Sequence, residues 1–144
     1  MKIVSKSLKE TRDIAKDYIE KELRADADKS LVVCLSGDLG SGKTAFTQET
    51  CKILGVEESV TSPTFVLQKK YKIKHPEFNE LVHIDAYRLN DGEELKRIGL
   101  KELLTDPKRV VFIEWPEIVA DALTGKEKKI SFKFLSENER EIDY

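Results

Sequence analysis

Leu8, Thr11, Ala15, Tyr18 and either Glu22 or Leu23 recur every three or four residues, the spacing of an apolar stripe along one face of a helix. Ser7-Leu8-Lys9-Glu10 has the S-x-x-E form of a capping box, so a helix is expected to start there and run to about Ala25. The pattern then changes. Leu31-Val32-Val33-Cys34-Leu35 is an unbroken apolar run, which predicts a strand buried on both faces. A glycine-rich stretch follows, then a second helix from about Lys43 to Leu54 that Gly55 can close.

Ser62-Pro63-Thr64 interrupts the chain, and Phe65 to Ile73 alternate as a strand. Leu67, Lys69, Tyr71 and Ile73 share one face; Gln68, Lys70, Lys72 and Lys74 share the other. Two more apolar runs, Leu81 to Asp85 and Val110 to Glu114, each end in an acid. Between them Asn90-Asp91-Gly92 opens a helical region over Glu93 to Leu104, which Asp106-Pro107 closes. Ile130, Phe132 and Phe134 alternate with polar residues, and Ser136 to Glu139 turn the chain into a short last strand. Three apolar strands interspersed with helices predict a parallel α/β core, with the alternating strands added at an edge or as a hairpin.

A length of 144 residues suits one domain over residues 1–144. The 25 basic and 27 acidic residues leave a net charge of -2, so no global positive field holds nucleic acid, and any RNA is expected to arrive through a partner. The first residues lack the apolar core of a signal peptide, and no apolar stretch approaches the roughly 20 residues that span a bilayer. A cytoplasmic chain without a membrane contact is expected. Cys34 and Cys51 have no CxxC spacing or nearby His and read as buried free thiols.

Chemistry enters with "GDLGSGKT", residues 37–44, set between the first apolar strand and the second helix. Gly37, Gly42, Lys43 and Thr44 satisfy G-x-x-x-x-G-K-[ST], in which backbone N–H groups wrap phosphates, the Lys supplies a point charge and the hydroxyl holds Mg²⁺. The loop from Gly37 through Asp38, Leu39, Gly40, Ser41 and Gly42 is thus expected to bind ATP, in a P-loop NTPase-like fold with a mostly parallel central sheet, flanking helices and antiparallel edge strands. Guanine-specific relatives carry an N/T-K-x-D motif that is lacking here, so adenine is favoured. Asp85 and Glu114 compete as the second carboxylate of the magnesium site, both at the carboxyl edge of the sheet. Trp115 can serve the core or lie beside the nucleotide. Thr61, Ser62 and Thr64 offer hydroxyls on a Pro-stiffened loop that could sense a γ-phosphate or form an ordinary turn. Lys69, Lys70, Lys72 and Lys74 look more like lysine protection of an edge strand than a binding patch.

Together "GDLGSGKT", "TSPTF", "HIDAYRL" and "IEWPE", in this order and at these separations, resemble the bacterial TsaE family, formerly YjeE, of small ATPases in tRNA threonylcarbamoyladenosine synthesis. The resemblance covers Leu31 to about Glu117. Ser41 stands where the family commonly has Ala. The resemblance implies a protein that binds ATP and Mg²⁺, hydrolyses ATP weakly alone and docks on the TsaB-TsaD complex, which modifies adenosine 37 of tRNAs reading ANN codons. Carried over by position, Lys43 grips the phosphates, Thr44 and Glu114 coordinate Mg²⁺, and Asp85 orients the attacking water or one on the metal. Thr64 and its neighbours resemble a switch loop, and Trp115 to Glu117 border the nucleotide. No arginine finger stands out, Arg88 being the nearest candidate. Two other readings share the loop: a small-molecule kinase, although no Arg-rich lid is visible, and a nucleotide-controlled binding module.

Overall fold

The computed structural model describes residues 1–60 and 67–144. Thr61, Ser62 and Thr64, expected to form a switch-like loop, lie outside them.

Strands β1 (Lys2–Ser5), β2 (Leu31–Ser36), β3 (Gln68–Lys72), β4 (Glu80–Asp85), β5 (Arg109–Glu114), β6 (Lys128–Phe134) and β7 (Arg140–Asp143) make one sheet in the order β1-β7-β6-β2-β5-β4-β3. The centre is parallel: β2 pairs with β5 and with β6, and β5 with β4. Antiparallel strands extend both sides, β3 on β4 and the β6–β7 hairpin closed by β1. The expected architecture is therefore observed, with two refinements. β6 lies inside the sheet beside β2 instead of at an edge, because Ile130 and Phe132 turn inward and are buried. β1 has no sequence signal of its own, being four residues long and stabilised by pairing with β7.

Alternation along the central strands divides the core between the two sheet faces. Leu81, Val110, Phe112, Val33, Leu35 and Ile130 pack beneath α1 (Leu8–Glu22) and α2 (Lys43–Ile53). Val82, Ile84, Val111 and Ile113 pack against α3 (Gly92–Arg97), α4 (Leu100–Leu103) and a 3-10 helix over Pro116–Ala122. β5 thus serves both faces, as its run of buried apolar residues requires.

Helix α1 begins as expected. The Ser7 hydroxyl accepts from the Glu10 amide at 3.1 Å, and the Glu10 carboxylate reaches back to accept from the Lys6 amide at 2.6 Å. Its buried stripe begins a turn late: Leu8 is 59 % exposed, while Thr11, Ile14, Ala15, Tyr18 and Ile19 are buried. Thr11 explains the start, since its hydroxyl meets that of Ser5 at 2.7 Å and ties the helix to β1. The single helical region expected over residues 93–104 is two helices, because Gly99 takes φ +98° and turns the chain between them. On the outer strand β3, Lys70 and Lys72 are exposed while Tyr71 points inward, an arrangement that discourages edge-to-edge pairing.

Candidate functional site

Register brings the two expected acids together. On the parallel pair β4 and β5, Asp85 stands directly opposite Glu114, and Leu35 of β2 stands opposite Glu114 on the other side. Both acids end their strands at the carboxyl edge of the sheet, where the loop after β2 leads into α2. Leu39, Gly40, Ser41, Gly42, Lys43 and Thr44 line an open cavity of about 290 Å³ there, together with Ala45, Asp85, Glu114, Trp115 and Arg140.

The loop is shaped by its glycines. Gly37 has φ +148°, and a Cβ on it would sit 2.5 Å from the Phe132 carbonyl oxygen, a backbone atom of β6. Gly42 has φ +108° and precedes α2, whose first residues Lys43, Thr44 and Ala45 line the cavity. Gly37→Ala therefore combines backbone strain with a clash that no side-chain rotation relieves. It is expected to cost about 2–4 kcal/mol of folding stability, read as a fall in the denaturant midpoint. Gly42→Ala meets the flexible Arg140 side chain instead and should cost less. A larger loss in the second variant would contradict this account.

Lys43 is the first residue of α2 and almost fully buried. Its ammonium donates to the Gly37 carbonyl oxygen and lies 3.6 Å from the centroid of the Trp115 ring, a cation–π contact strengthened by desolvation. Burial holds the ammonium below the ordinary lysine value, and Glu114, Glu117, Asp85 and Asp38 oppose that shift. The indole reaches this place because Trp115 takes φ +59° and ψ +50°, the only left-handed non-glycine residue among those described. That backbone costs on the order of 1–2 kcal/mol and turns the chain sharply from β5 into the helix led by Pro116. Tyr87 braces the indole with ring centroids 5.1 Å apart. Trp115 thus lines the cavity while also packing against the core of the α3 side.

Thr44 and Glu114 approach across the cavity floor, Oγ1 to Oε1 at 3.5 Å. Two oxygens sharing one octahedral Mg²⁺ at about 2.1 Å stand about 3 Å apart in adjacent positions, so this pair fits that ion with little movement. The loop fits phosphate as well: the Ser41 hydroxyl, 1 % exposed, has no hydrogen-bond partner among the described residues, and Lys43 brings a buried cation. Asp85 is half-buried and its Oδ1 accepts from the Tyr87 amide at 3.0 Å.

Other residues fall elsewhere. Asp38 is exposed on the loop. Glu117 is exposed and lines a neighbouring cavity of about 280 Å³ with Cys34, Pro116 and Lys129. Arg88 is exposed on the turn after β4 and does not line the loop cavity. Cys34 and Cys51 are buried free thiols pushed up to about 12 by burial, which removes them as nucleophiles.

Two residues at the site escaped the sequence reading. His83 is completely buried, and its Nε2 lies 2.7 Å from Glu114 Oε2. The signal was present: it is the one polar residue within the apolar run of β4. Arg140 had none, because it lies nearly a hundred residues beyond the loop and reaches it only through the β6–β7 hairpin. Its guanidinium packs over Gly42 and forms no ion pair with a described carboxylate. A half-buried cation free to face phosphate oxygens should add to anion affinity. Arg140→Ala is expected to weaken ATP binding by roughly 10- to 100-fold with little change in melting temperature, and unaltered binding would remove it from the site.

The family model described as "Threonylcarbamoyl adenosine biosynthesis protein TsaE" matches residues 5–142. A protein of Rickettsia prowazekii named tRNA threonylcarbamoyladenosine biosynthesis protein TsaE is 37 % identical over 135 residues, 93 % of this chain and 87 % of that one. A protein of the same name from Mycobacterium tuberculosis is 35 % identical over 115 residues, 77 % of this chain and 68 % of that one. The crystal structure of Bacillus subtilis YdiB superposes with a TM-score of 0.71 at 29 % identity, covering 99 % of this chain and 82 % of the other.

Proposed function

The chain belongs to the TsaE family of threonylcarbamoyl adenosine biosynthesis proteins, and from that membership we propose that it is the magnesium-dependent ATP hydrolase of a tRNA-modifying assembly. The observation that carries this reading is the convergence of Lys43, Thr44 and Glu114 on one cavity beneath a glycine loop. Phosphoryl transfer needs positioned charge more than a covalent partner, and this cavity offers two cations and two carboxylates.

The residues divide the work. Loop amides from Gly37 to Thr44, with Asp38 and Leu39 exposed on the loop and the Ser41 hydroxyl buried within it, bind the phosphates. Lys43 neutralises them and Arg140 adds a second positive charge at the rim. Thr44 and Glu114 would hold Mg²⁺, which would supply charge neutralisation to the phosphates. Asp85 orients the attacking water, and Trp115 shields Lys43 from solvent. Glu117 borders the nucleotide on the side of the second cavity, and Thr61, Ser62 and Thr64 supply the γ-phosphate switch. The nucleotide cycle acts on the TsaB-TsaD complex during threonylcarbamoylation of adenosine 37 in tRNAs reading ANN codons. tRNA meets this chain through that complex, in keeping with a net charge of -2. The work is cytoplasmic; among the described residues no helix is long and apolar enough to cross a membrane.

The test measures ATP hydrolysis with Mg²⁺ for the chain alone, for Lys43→Ala, and with TsaB, TsaD and tRNA added, scoring threonylcarbamoyladenosine in the same tubes. Hydrolysis that rises with the partners, and repeated modification that needs Lys43, are expected. Partners without effect, together with a small metabolite that accelerates ATP consumption, would assign the same loop to a kinase.

A further inference from the structure

We propose that His83 is a positioning residue for the Glu114 carboxylate, holding Oε2 so that Oε1 is presented to Thr44. This inference rests on the reading of Glu114 as a magnesium ligand.

The geometry starts from register. His83 pairs with Phe112 across the parallel β4–β5 ladder, and Glu114 lies two residues further along β5 on the same face. A long side chain spans such a diagonal, and the imidazole Nε2 reaches Glu114 Oε2 at 2.7 Å. The other oxygen of the same carboxylate stands 3.5 Å from Thr44 Oγ1. The two oxygens are thus committed to different partners, one inside the sheet and one in the cavity.

Burial argues against simple packing. His83 is 0 % and Glu114 3 % exposed, and His83 Nδ1 has no hydrogen-bond partner among the described residues. An aliphatic side chain would fill this slot between Leu81 and Asp85 without stranding a polar nitrogen, whereas a buried unpaired polar atom costs stability. A carboxylate oxygen accepts in this contact, which assigns a hydrogen to Nε2. The return for that cost is a carboxylate whose rotamer is set before any ligand arrives, as second-shell hydrogen bonds do for metal ligands.

The test compares the parent with His83→Gln, which keeps an N–H donor at the reach of Nε2, and His83→Phe, which fills the volume without one. Calorimetry with a non-hydrolysable ATP analogue gives the ratio of its Kd in EDTA to that in Mg²⁺. In His83→Phe this ratio is expected to fall by about 10- to 100-fold while the EDTA value and a cooperative melt persist; His83→Gln should stay within about threefold of the parent. An unchanged ratio in His83→Phe overturns the inference. So does equal weakening with and without Mg²⁺, which would make His83 a fold residue. A parent that gains nothing from Mg²⁺ instead sinks the underlying reading of Glu114. Independently of metal, nitrogen NMR of the imidazole, assigned against the only other histidine, His75, should show hydrogen on Nε2. The opposite tautomer overturns the proposal whatever the metal does.

Discussion

Lys43→Ala is expected to weaken ATP binding by about 100- to 1,000-fold, within the roughly 2–5 kcal/mol that truncating one partner of a desolvated charge pair costs. The size follows from burial: the ammonium is shielded by the Trp115 ring and the Gly37 carbonyl, so its attraction for phosphate is poorly screened. Folding should respond differently. Burying a cation without a close counterion is unfavourable, so unliganded stability at neutral pH should stay within about 1 kcal/mol of the parent. The pH dependence separates the two effects. Because burial lowers the Lys43 value in the folded chain, the unfolded chain binds the proton more firmly, and the parent gains stability as pH rises through the interval between the lowered value and the ordinary one. Below that interval the full burial cost remains. The variant should lose this alkaline gain, as denaturant midpoints across the interval would show. A variant that unfolds outright, or that binds ATP like the parent, contradicts the assignment.

Glu114→Ala should produce the second largest effect and a different profile. It removes the oxygen facing Thr44 and also leaves His83 Nε2–H buried and unpaired. The first loss falls on Mg²⁺-dependent ATP affinity, by roughly 100-fold or more, and the second on folding, by about 1–3 kcal/mol. Asp85→Ala sits on the same edge but is half-buried and takes no part in the His83–Glu114 contact, so its binding loss should be smaller and its turnover loss larger. Titrations with and without Mg²⁺ decide the order. Equal losses in the two variants would refute it.

What could be read from the chain beforehand was local. The loop from Gly37 to Thr44 announces itself because glycine spacing, Lys43 and the flanking apolar run and helix all lie within some twenty residues. The runs ending in Asp85 and Glu114 announce strands for the same reason. What the eye misses depends on partners distant in sequence. β1 becomes a strand only against β7, and β6 enters the interior only through its register with β2. Gly99 in a helical region carries no sign that φ will be positive. His83 looks like an isolated polar residue until β4 and β5 are aligned, and Arg140 reaches the loop only after the last hairpin folds back. Thr61, Ser62 and Thr64 lie outside the described residues.

Trp115 is the single tryptophan in the chain, and its ring sits 3.6 Å beneath the ammonium that phosphates are expected to draw away. The protein therefore carries its own optical gauge of site occupancy. Emission excited selectively from the indole should change as the cation leaves the ring, following each stage of loading and release without a dye, a labelled nucleotide or a coupled assay. Kinetics that otherwise need several reagents could then be followed in a single cuvette, even inside a larger assembly whose other subunits lack tryptophan or have had it replaced.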